Sequence, residues 1–402
     1  MKSLSEALSN YLSKRAIAGG YLWNIEKLSL YVEVLTYILI AMPIIMYILT
    51  RSLILTLILA SIPIIPTLLI MAWAAYSVDS VRSYVEWELP FFLVLLDVVH
   101  DIGGNIVQAF EVSDRIGLKW IGREWSIISR YASTTGSITK AMQLRARVHP
   151  SPEFQRFING YVSVWGYSGD VTAYVRDVES SYLTMLNSRL SALSKQIIDI
   201  VLAVISSIII LMLFIIVTTI LGMGNALLYI LPAVALMLPA IILRVYQSIP
   251  HIIRVSIRHD RRIFLILALS SIFTVLAILY LGVYGVLFLA LPPTLFSILV
   301  TKEINDTRNS ILSLPDLTRD VAEMVKAGIG IGAALERVLG NNYPGMLISY
   351  VRRITQFNNV EVNGPWIIKY AIGILREISN IGSPSRALDR LVQVFLDLRT
   401  LF

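Results

Sequence analysis

The chain has 402 residues, of which 56% are hydrophobic, and a formal net charge of +7. Its mean hydropathy of +0.71 is far above that of ordinary globular domains, so the composition predicts an integral membrane protein. Cysteine is absent, which excludes disulfides, thiolate nucleophiles and cysteine-ligated metals.

The first residues, MKSLSEALSNYLSKRAIAGG, contain no apolar core directly after their first charges and no small-residue cleavage site. We therefore expect no removable signal peptide. Residues 1–33 are predicted to form a cytoplasmic N-terminal segment.

Six apolar runs without charged residues follow, each near the length that a membrane-spanning helix requires. They lie at 34–50, 53–76, 200–221, 226–243, 263–281 and 283–300. Short connections pair them into three transmembrane hairpins, which we assign to 34–76, 196–243 and 263–300. Of the 34 Lys and Arg residues, only Arg51 lies in a short connection. The positive-inside rule then predicts a multi-pass plasma-membrane protein whose N-terminus and longer polar segments are cytoplasmic.

Two longer segments, 77–195 and 301–402, are predicted to form cytoplasmic helical modules that contain a duplication. LPFFLVLLDVVHDIGGNIVQAFE begins at Leu89, and LPDLTRDVAEMVKAGIGIGAALE begins at Leu314; they align without gaps, with six identical positions. The apolar start of the first copy is too short to span a bilayer, so we expect a buried soluble helix there. Glycine follows proline by thirteen residues in both copies, which predicts helix, glycine turn, helix. The predicted fold class is all-α.

The first module and the second hairpin are joined without interruption. Residues 171–221 contain neither glycine nor proline, and the apolar residues keep helical spacing up to the uniformly apolar run. We predict one continuous helix of roughly 75 Å. Such a helix would join module and bilayer rigidly.

The paired LP…G…A modules, each preceded by a transmembrane hairpin, resemble the type II secretion F-domain family, as does NGYVSVWGYSGDVTAYV at 159–175. Two hairpin-plus-module units in one chain look like the inner-membrane platforms of archaeal type IV pili and the archaellum. Relatives of this kind usually continue with a further hairpin after the second module. The structural motif residues are Pro90, Gly103, Gly169, Pro315 and Gly328.

The resemblance implies a non-enzymatic platform that couples a cytoplasmic hexameric secretion ATPase to the insertion of pilin or archaellin subunits into a filament. It also implies a homo-oligomer, a dimer, in contact with membrane lipids. A membrane transporter is an alternative, although the six runs contain no ionisable residue for an ion or proton pathway. A membrane-anchored signalling or scaffold protein is a third interpretation, but it leaves the duplicated layout unexplained.

Signatures of enzyme chemistry are missing from the sequence. It has no GxxxxGK[ST] motif, and the glycine run at 328–332 does not match GxGxxG, so no nucleotide cofactor is expected. The four histidines are scattered without an HExxH motif, which predicts no metal site. The pairs Asp97/Asp101 and Glu86/Glu88 could be catalytic carboxylates, but the first pair also fits a polar helix edge. No nucleic-acid motif accompanies the positive charge.

The linker 244–262 between the second and third hairpins is predicted to be a basic cytoplasmic loop. Four of its arginines recur at helical spacing, among apolar residues, after Pro250. They are Arg254, Arg258, Arg261 and Arg262. This stripe would contact either anionic lipid or an acidic face of the secretion ATPase.

Overall fold

The computed structural model describes residues 2–21, 64–167, 171–221, 291–357, 365–381 and 385–399, with isolated residues in 34–51 and 250–288. Every regular element within these residues is an α-helix, so the all-α prediction is confirmed for the part of the chain that is described.

Among the described residues, seven helices precede the segment 222–290. They are α1 (Lys2–Gly19), α2 (Ile64–Asp101), α3 (Ile106–Ser113), α4 (Lys119–Thr135), α5 (Ile138–Val148), α6 (Pro152–Tyr167) and α7 (Thr172–Ile220). Six more follow it. They are α8 (Leu291–Leu312), α9 (Leu314–Lys326), α10 (Ile331–Val338), α11 (Gly345–Phe357), α12 (Trp366–Ile381) and α13 (Ser385–Arg399).

The helices form two compact units. Unit 1 comprises Met1–Leu93 and Leu118–Glu179, and unit 2 comprises Val94–Gly117 and Ser180–Phe402. The end of α2 and all of α3 therefore belong to unit 2, although the sequence assigns them to the module at 77–195. The predicted module boundaries themselves stay a prediction.

The core of unit 1 is built from apolar residues at helical spacing. In α6, Phe154, Phe157, Ile158 and Tyr161 are buried, and the ring of Phe157 meets Phe92 of α2 edge-on at 6.1 Å between centroids. α4 packs against α5, and α5 packs against α6. Burial of these aromatic and branched side chains removes apolar surface from water and so stabilises the unit.

Unit 2 has its clearest amphipathic helix in α9. Leu314, Leu317, Val321 and Val325 are buried, while Asp316, Arg319 and Glu323 between them are exposed. α9 packs against α13 and α10. The helical spacing of its apolar residues thus correctly predicts the packed face.

The apolar stretch that begins at Leu89 is buried. Leu89 and every residue from Phe91 to Leu96 are at most 1% exposed. The prediction of a buried helix in place of a membrane span is confirmed.

The continuous connecting helix is also confirmed, because α7 runs unbroken for 49 residues. At 1.5 Å per residue it is about 73 Å long. Among the described residues, one stretch, Thr172–Ser207, is apolar and long enough to cross a membrane, and none of its most apolar window is buried. The other predicted spans lie largely outside the described residues, and the three-hairpin arrangement stays a prediction.

Candidate functional site

The duplicated motif places its two prolines differently. Pro90 lies inside α2, where its ring removes one backbone hydrogen bond from a long helix. Pro315 lies in the first turn of α9, where a missing N–H has no helical partner to lose. A break at Ser313 separates α8 from α9, whereas the corresponding part of the first copy is one helix.

Both motif glycines end their helices in the same way. Gly103 and Gly328 have φ angles of +79° and +87°, as their position predicts. The N–H of Gly103 donates to His100 O at 2.9 Å, and that of Gly328 donates to Val325 O at 2.9 Å. The next residue in each copy donates five residues back, which completes a Schellman motif. Glycine is favoured there because a side chain is strained at positive φ.

The other predicted site residues cannot be placed. Gly169 and the linker arginines Arg254, Arg258, Arg261 and Arg262 lie outside the described residues. Their proposed contacts with lipid or ATPase stay predictions.

A buried ionic cluster in unit 1 was not predicted. The Nε and Nη2 atoms of Arg145 on α5 donate to the Glu124 carboxylate on α4 at 2.6 and 3.0 Å. Both side chains are at most 1% exposed. His149 Nε2 lies 3.5 Å from the same carboxylate, and its Nδ1 accepts a hydrogen bond from the Ser151 N–H. Burial raises the pKa of Glu124, but its contacts with His149 and Arg145 outweigh burial and lower that pKa to about 2.

The same arginine holds the N-terminal helix. Arg145 donates to Ile17 O at 2.9 Å and to Ala18 O at 3.0 Å. Arg123 of α4 donates to the carbonyls of Gly19 and Gly20 at 2.8 and 3.0 Å. The last carbonyls of a helix have no partner within it. Two guanidinium groups supply those partners here, so α4 and α5 anchor the C-terminal end of α1.

The start of α4 is fixed by a carboxylate from α2. Glu88 is fully buried, and its Oε2 accepts from the N–H groups of Trp120 and Ile121 at 2.9 and 3.0 Å. A negative charge at this position also interacts favourably with the helix dipole. Its neighbour Glu86 contacts Arg82 at 3.0 Å and the Ser151 hydroxyl at 3.1 Å. This predicted carboxylate pair therefore makes structural contacts.

In unit 2, the turn after α3 packs against α12. The indole N–H of Trp366 donates to Gly117 O at 2.8 Å, and Arg115 lies 3.6 Å from the Glu377 carboxylate. A Cβ on Gly373 would lie 3.2 Å from that of Ile116, so the two backbones approach closely. Further along, Asp97 of α2 is buried 3.6 Å from the Arg390 guanidinium of α13. The segment 94–117 thus carries polar and apolar contacts to α12 and α13.

A cleft of about 440 Å³ in unit 2 lies beside the loop before α11. The Tyr343 hydroxyl there donates to Asp320 Oδ2 at 2.6 Å, and Asn341 donates to the same oxygen at 3.1 Å. Burial, together with the Asp320 carboxylate, raises the pKa of Tyr343 well above its ordinary value. These contacts hold the loop against α9.

The described part of the chain contains no group of three His, Asp or Glu residues suited to a metal ion. What it does contain are fixed helix ends, a long connecting helix and buried polar anchors. These contacts fix the positions of neighbouring helices within each unit.

Neither the curated proteins nor the solved structures give a match to this chain. A family model does match, and it covers the end of α2, the helices α3 to α6 and nearly all of α7. The resemblance that the duplicated motif indicates is confirmed by this match: the chain carries, over residues 92–219, a domain of the family described as type II secretion system (T2SS), protein F.

Proposed function

We propose that the chain is a non-enzymatic membrane platform for assembly of a type IV pilus-like filament or an archaellum. Members of the matched family are generally inner-membrane assembly platforms without catalytic activity, and they work with secretion ATPases and pilins. In this proposal a cytoplasmic hexameric ATPase acts on the helical units, and the chain, as a homodimer, directs pilin or archaellin subunits into the filament.

The observation that carries the proposal is the length of α7. Its first turns are packed in unit 1, where Val175 and Glu179 are buried, and it continues to Ile220 without a break. In its second half the large apolar side chains that the structure describes are exposed. A helix without glycine or proline curves gently but has none of the usual causes of a sharp kink. A displacement imposed at the cytoplasmic end is therefore carried to the membrane end. This coupling is the mechanical task of a platform.

The test changes the stiffness of α7 and leaves the rest of the chain as it is. A glycine-serine tract of about two helical turns, inserted between Ala192 and Asp199, makes the joint flexible. The matched control is a helix-forming insertion of the same length, which keeps the joint stiff and nearly preserves the rotational phase. We expect both variants to insert in the membrane, and filaments to form with the control alone. Filament assembly by the glycine-serine variant would contradict the proposal.

A further inference from the structure

We propose that the tip of the α4–α5 hairpin, residues 130–140, contacts anionic lipid headgroups of the bilayer that the same chain enters. The inference concerns a surface of unit 1 and rests on the membrane anchoring that the proposed function requires. The direction of α4, the charge of the tip and the aromatic residues of α2 support it independently.

The first step is the direction of α4 along α2. The start of α4 is bound by Glu88, and Trp120 stacks on Tyr84 at 4.6 Å between ring centroids. Further along α4, Ile127 lies against Gly20, and the hydroxyl of the next residue, Tyr21, donates to Ser77 O at 3.2 Å. Residue numbers fall along α2 as they rise along α4. The two helices are therefore antiparallel.

The second step is how far the hairpin reaches. Gly20 lies against Ile127 and its neighbour Gly19 lies against Val78 of α2, so Ile127 is near the level of Val78. The remaining residues of α4 up to Thr135 then extend about 12 Å further toward the start of α2. This carries the tip past Tyr76 and Trp73, which are 72% and 53% exposed. The uncharged sequence that begins α2, IIPTLLIMAWAAY, lies at this end of the helix.

The third step concerns the aromatic residues near the start of α2. Tryptophan and tyrosine are enriched where a helix crosses the boundary between hydrocarbon and headgroups. Exposed Trp73 and Tyr76, at the end of an apolar run, fit that boundary. The hairpin tip then lies at headgroup depth.

The tip itself is suited to phosphate-bearing headgroups. No Asp or Glu occurs from Trp125 to Pro152. Arg130 and Lys140 are exposed, and no ion pair involves either of them among the described residues. Between them the sequence YASTTGSIT supplies hydroxyl groups; those of Ser133 and Thr135 donate to backbone carbonyls of the hairpin, and those of Ser137 and Thr139 bond to each other. Basic groups beside an anionic bilayer surface are attracted to it over about one Debye length.

The absence of cysteine makes a direct test practical, because a single introduced cysteine carries the probe alone. Ser133→Cys places a fluorophore at the tip, and Asn159→Cys on α6 places one on the opposite part of unit 1, near the level of Phe92. The full chain is placed in nanodiscs of phosphatidylcholine, or of phosphatidylcholine mixed with phosphatidylglycerol. Both kinds of nanodisc contain a lipid that carries a nitroxide on its headgroup. The nitroxide quenches a nearby fluorophore.

We expect stronger quenching at residue 133 in the anionic discs, a difference that high salt removes, and no such difference at residue 159. Each basic group near an anionic surface raises the association constant of the hairpin tip with that surface about fivefold. Replacing both Arg130 and Lys140 by glutamine then lowers that constant about 25-fold. The exchanged pair R130K/K140R retains it, and Arg156→Gln, which removes one exposed charge from α6, leaves it unchanged.

Equal quenching at residue 133 in neutral and anionic discs overturns the inference, as does an equal effect of R156Q. Soluble polyglutamate is then added to the anionic discs. If it abolishes the quenching at residue 133, the inference is also overturned, because the surface would then prefer an acidic protein to anionic lipid. Alkaline carbonate extraction separates this failure from a failure of the proposed function. A chain that stays in the bilayer with an unquenched tip refutes the lipid contact alone, and a chain that is extracted refutes the membrane platform.

Discussion

In the first copy of the duplicated motif, α2 ends at Asp101, turns at Gly103 and restarts as α3 at Ile106. In the second copy, α9 ends at Lys326, turns at Gly328 and restarts at equivalent alignment positions. The backbone plan is the same, yet the side chains that secure it differ. Asn105 closes a capping box at the start of α3, whereas Gly330 at the start of α10 gives no side-chain cap.

Ion pairs in the two units differ in burial. In unit 1 the Arg145–Glu124 pair is almost completely buried and also anchors α1. In unit 2 the Lys326–Asp389 pair has a similar distance of 2.7 Å, but its side chains are 50% and 52% exposed. The distance between the charged atoms alone therefore does not show which ion pair contributes more to stability. A buried pair that loses one partner leaves an unpaired charge away from water, and an exposed pair leaves a hydrated one.

The largest expected effect is that of Arg145→Met, which keeps much of the side-chain volume and leaves Glu124 buried without its partner. We expect a loss of about 3–5 kcal/mol in the free energy of unfolding of unit 1. Hydrogen exchange of the full chain in nanodiscs should show faster exchange in α1, α4 and α5. The matched control is Lys326→Met, which should cost less than about 1 kcal/mol. Equal effects of the two variants would show that burial does not set the difference.

The second prediction uses the pH dependence of stability to isolate the contribution of Glu124. Its pKa of about 2 in the folded chain lies below its ordinary value of 4.5, so the folded state favours the ionised carboxylate. The resulting stability is fully present above about pH 4.5 and is lost as the pH falls toward 2. We expect the loss to reach about 3 kcal/mol. Glu124→Gln should be less stable at neutral pH but should lack this step in the acid titration; a step of equal size in the variant would assign it to other groups.

The third prediction concerns the shared turn. Alanine at Gly103 or Gly328 must adopt a positive φ, which costs on the order of 1 kcal/mol or more. Gly332, inside α10, has no positive φ and open space around its Cα, so Gly332→Ala is the control and should stabilise α10 slightly. Exchange rates of the amides that flank each turn give the measurement. Similar shifts for all three variants would mean that the turn conformation is not the cause.

Local patterns in the sequence predict much of this fold. The apolar spacing in α9, the absence of glycine and proline in α7 and the glycine after each motif helix give the buried face, the continuous helix and the turns. Each of these features depends on residues within a few turns of one another. Their physical causes are therefore visible in a short window of sequence.

The buried anchors depend on residues that are far apart in the sequence. Arg145 meets Glu124, 21 positions earlier, and Ile17, 128 positions earlier, so no short window contains the contact. One local signal was available: Glu124 lies between Ile121 and Ile128 on the apolar face of α4. A charged residue on an apolar face requires a buried partner. The sequence indicates that need without identifying the partner.

The smallest expected effect comes from removing the helix cap of the first copy and adding one to the second. Asn105 Oδ1 accepts from the N–H groups of Val107 and Gln108 at 3.0 and 3.2 Å, and Gln108 Oε1 accepts from Asn105 N–H at 3.1 Å. Asn105→Ala removes the first two bonds and should cost about 1 kcal/mol. Gly330 has extended backbone angles that asparagine tolerates, so Gly330→Asn should add a few tenths of a kcal/mol to the stability of α10.

Exchange of the first amides of α3 and α10 measures both changes in the full chain. Because each variant alters one helix start, the other start in the same molecule is the internal control. If Asn105→Ala leaves the Val107 and Gln108 amides as protected as before, the capping box contributes nothing to the first copy. In that case the two copies are held by the same turn and by their packing alone, and the extra hydrogen bonds of the first copy do not explain any difference in stability between α3 and α10.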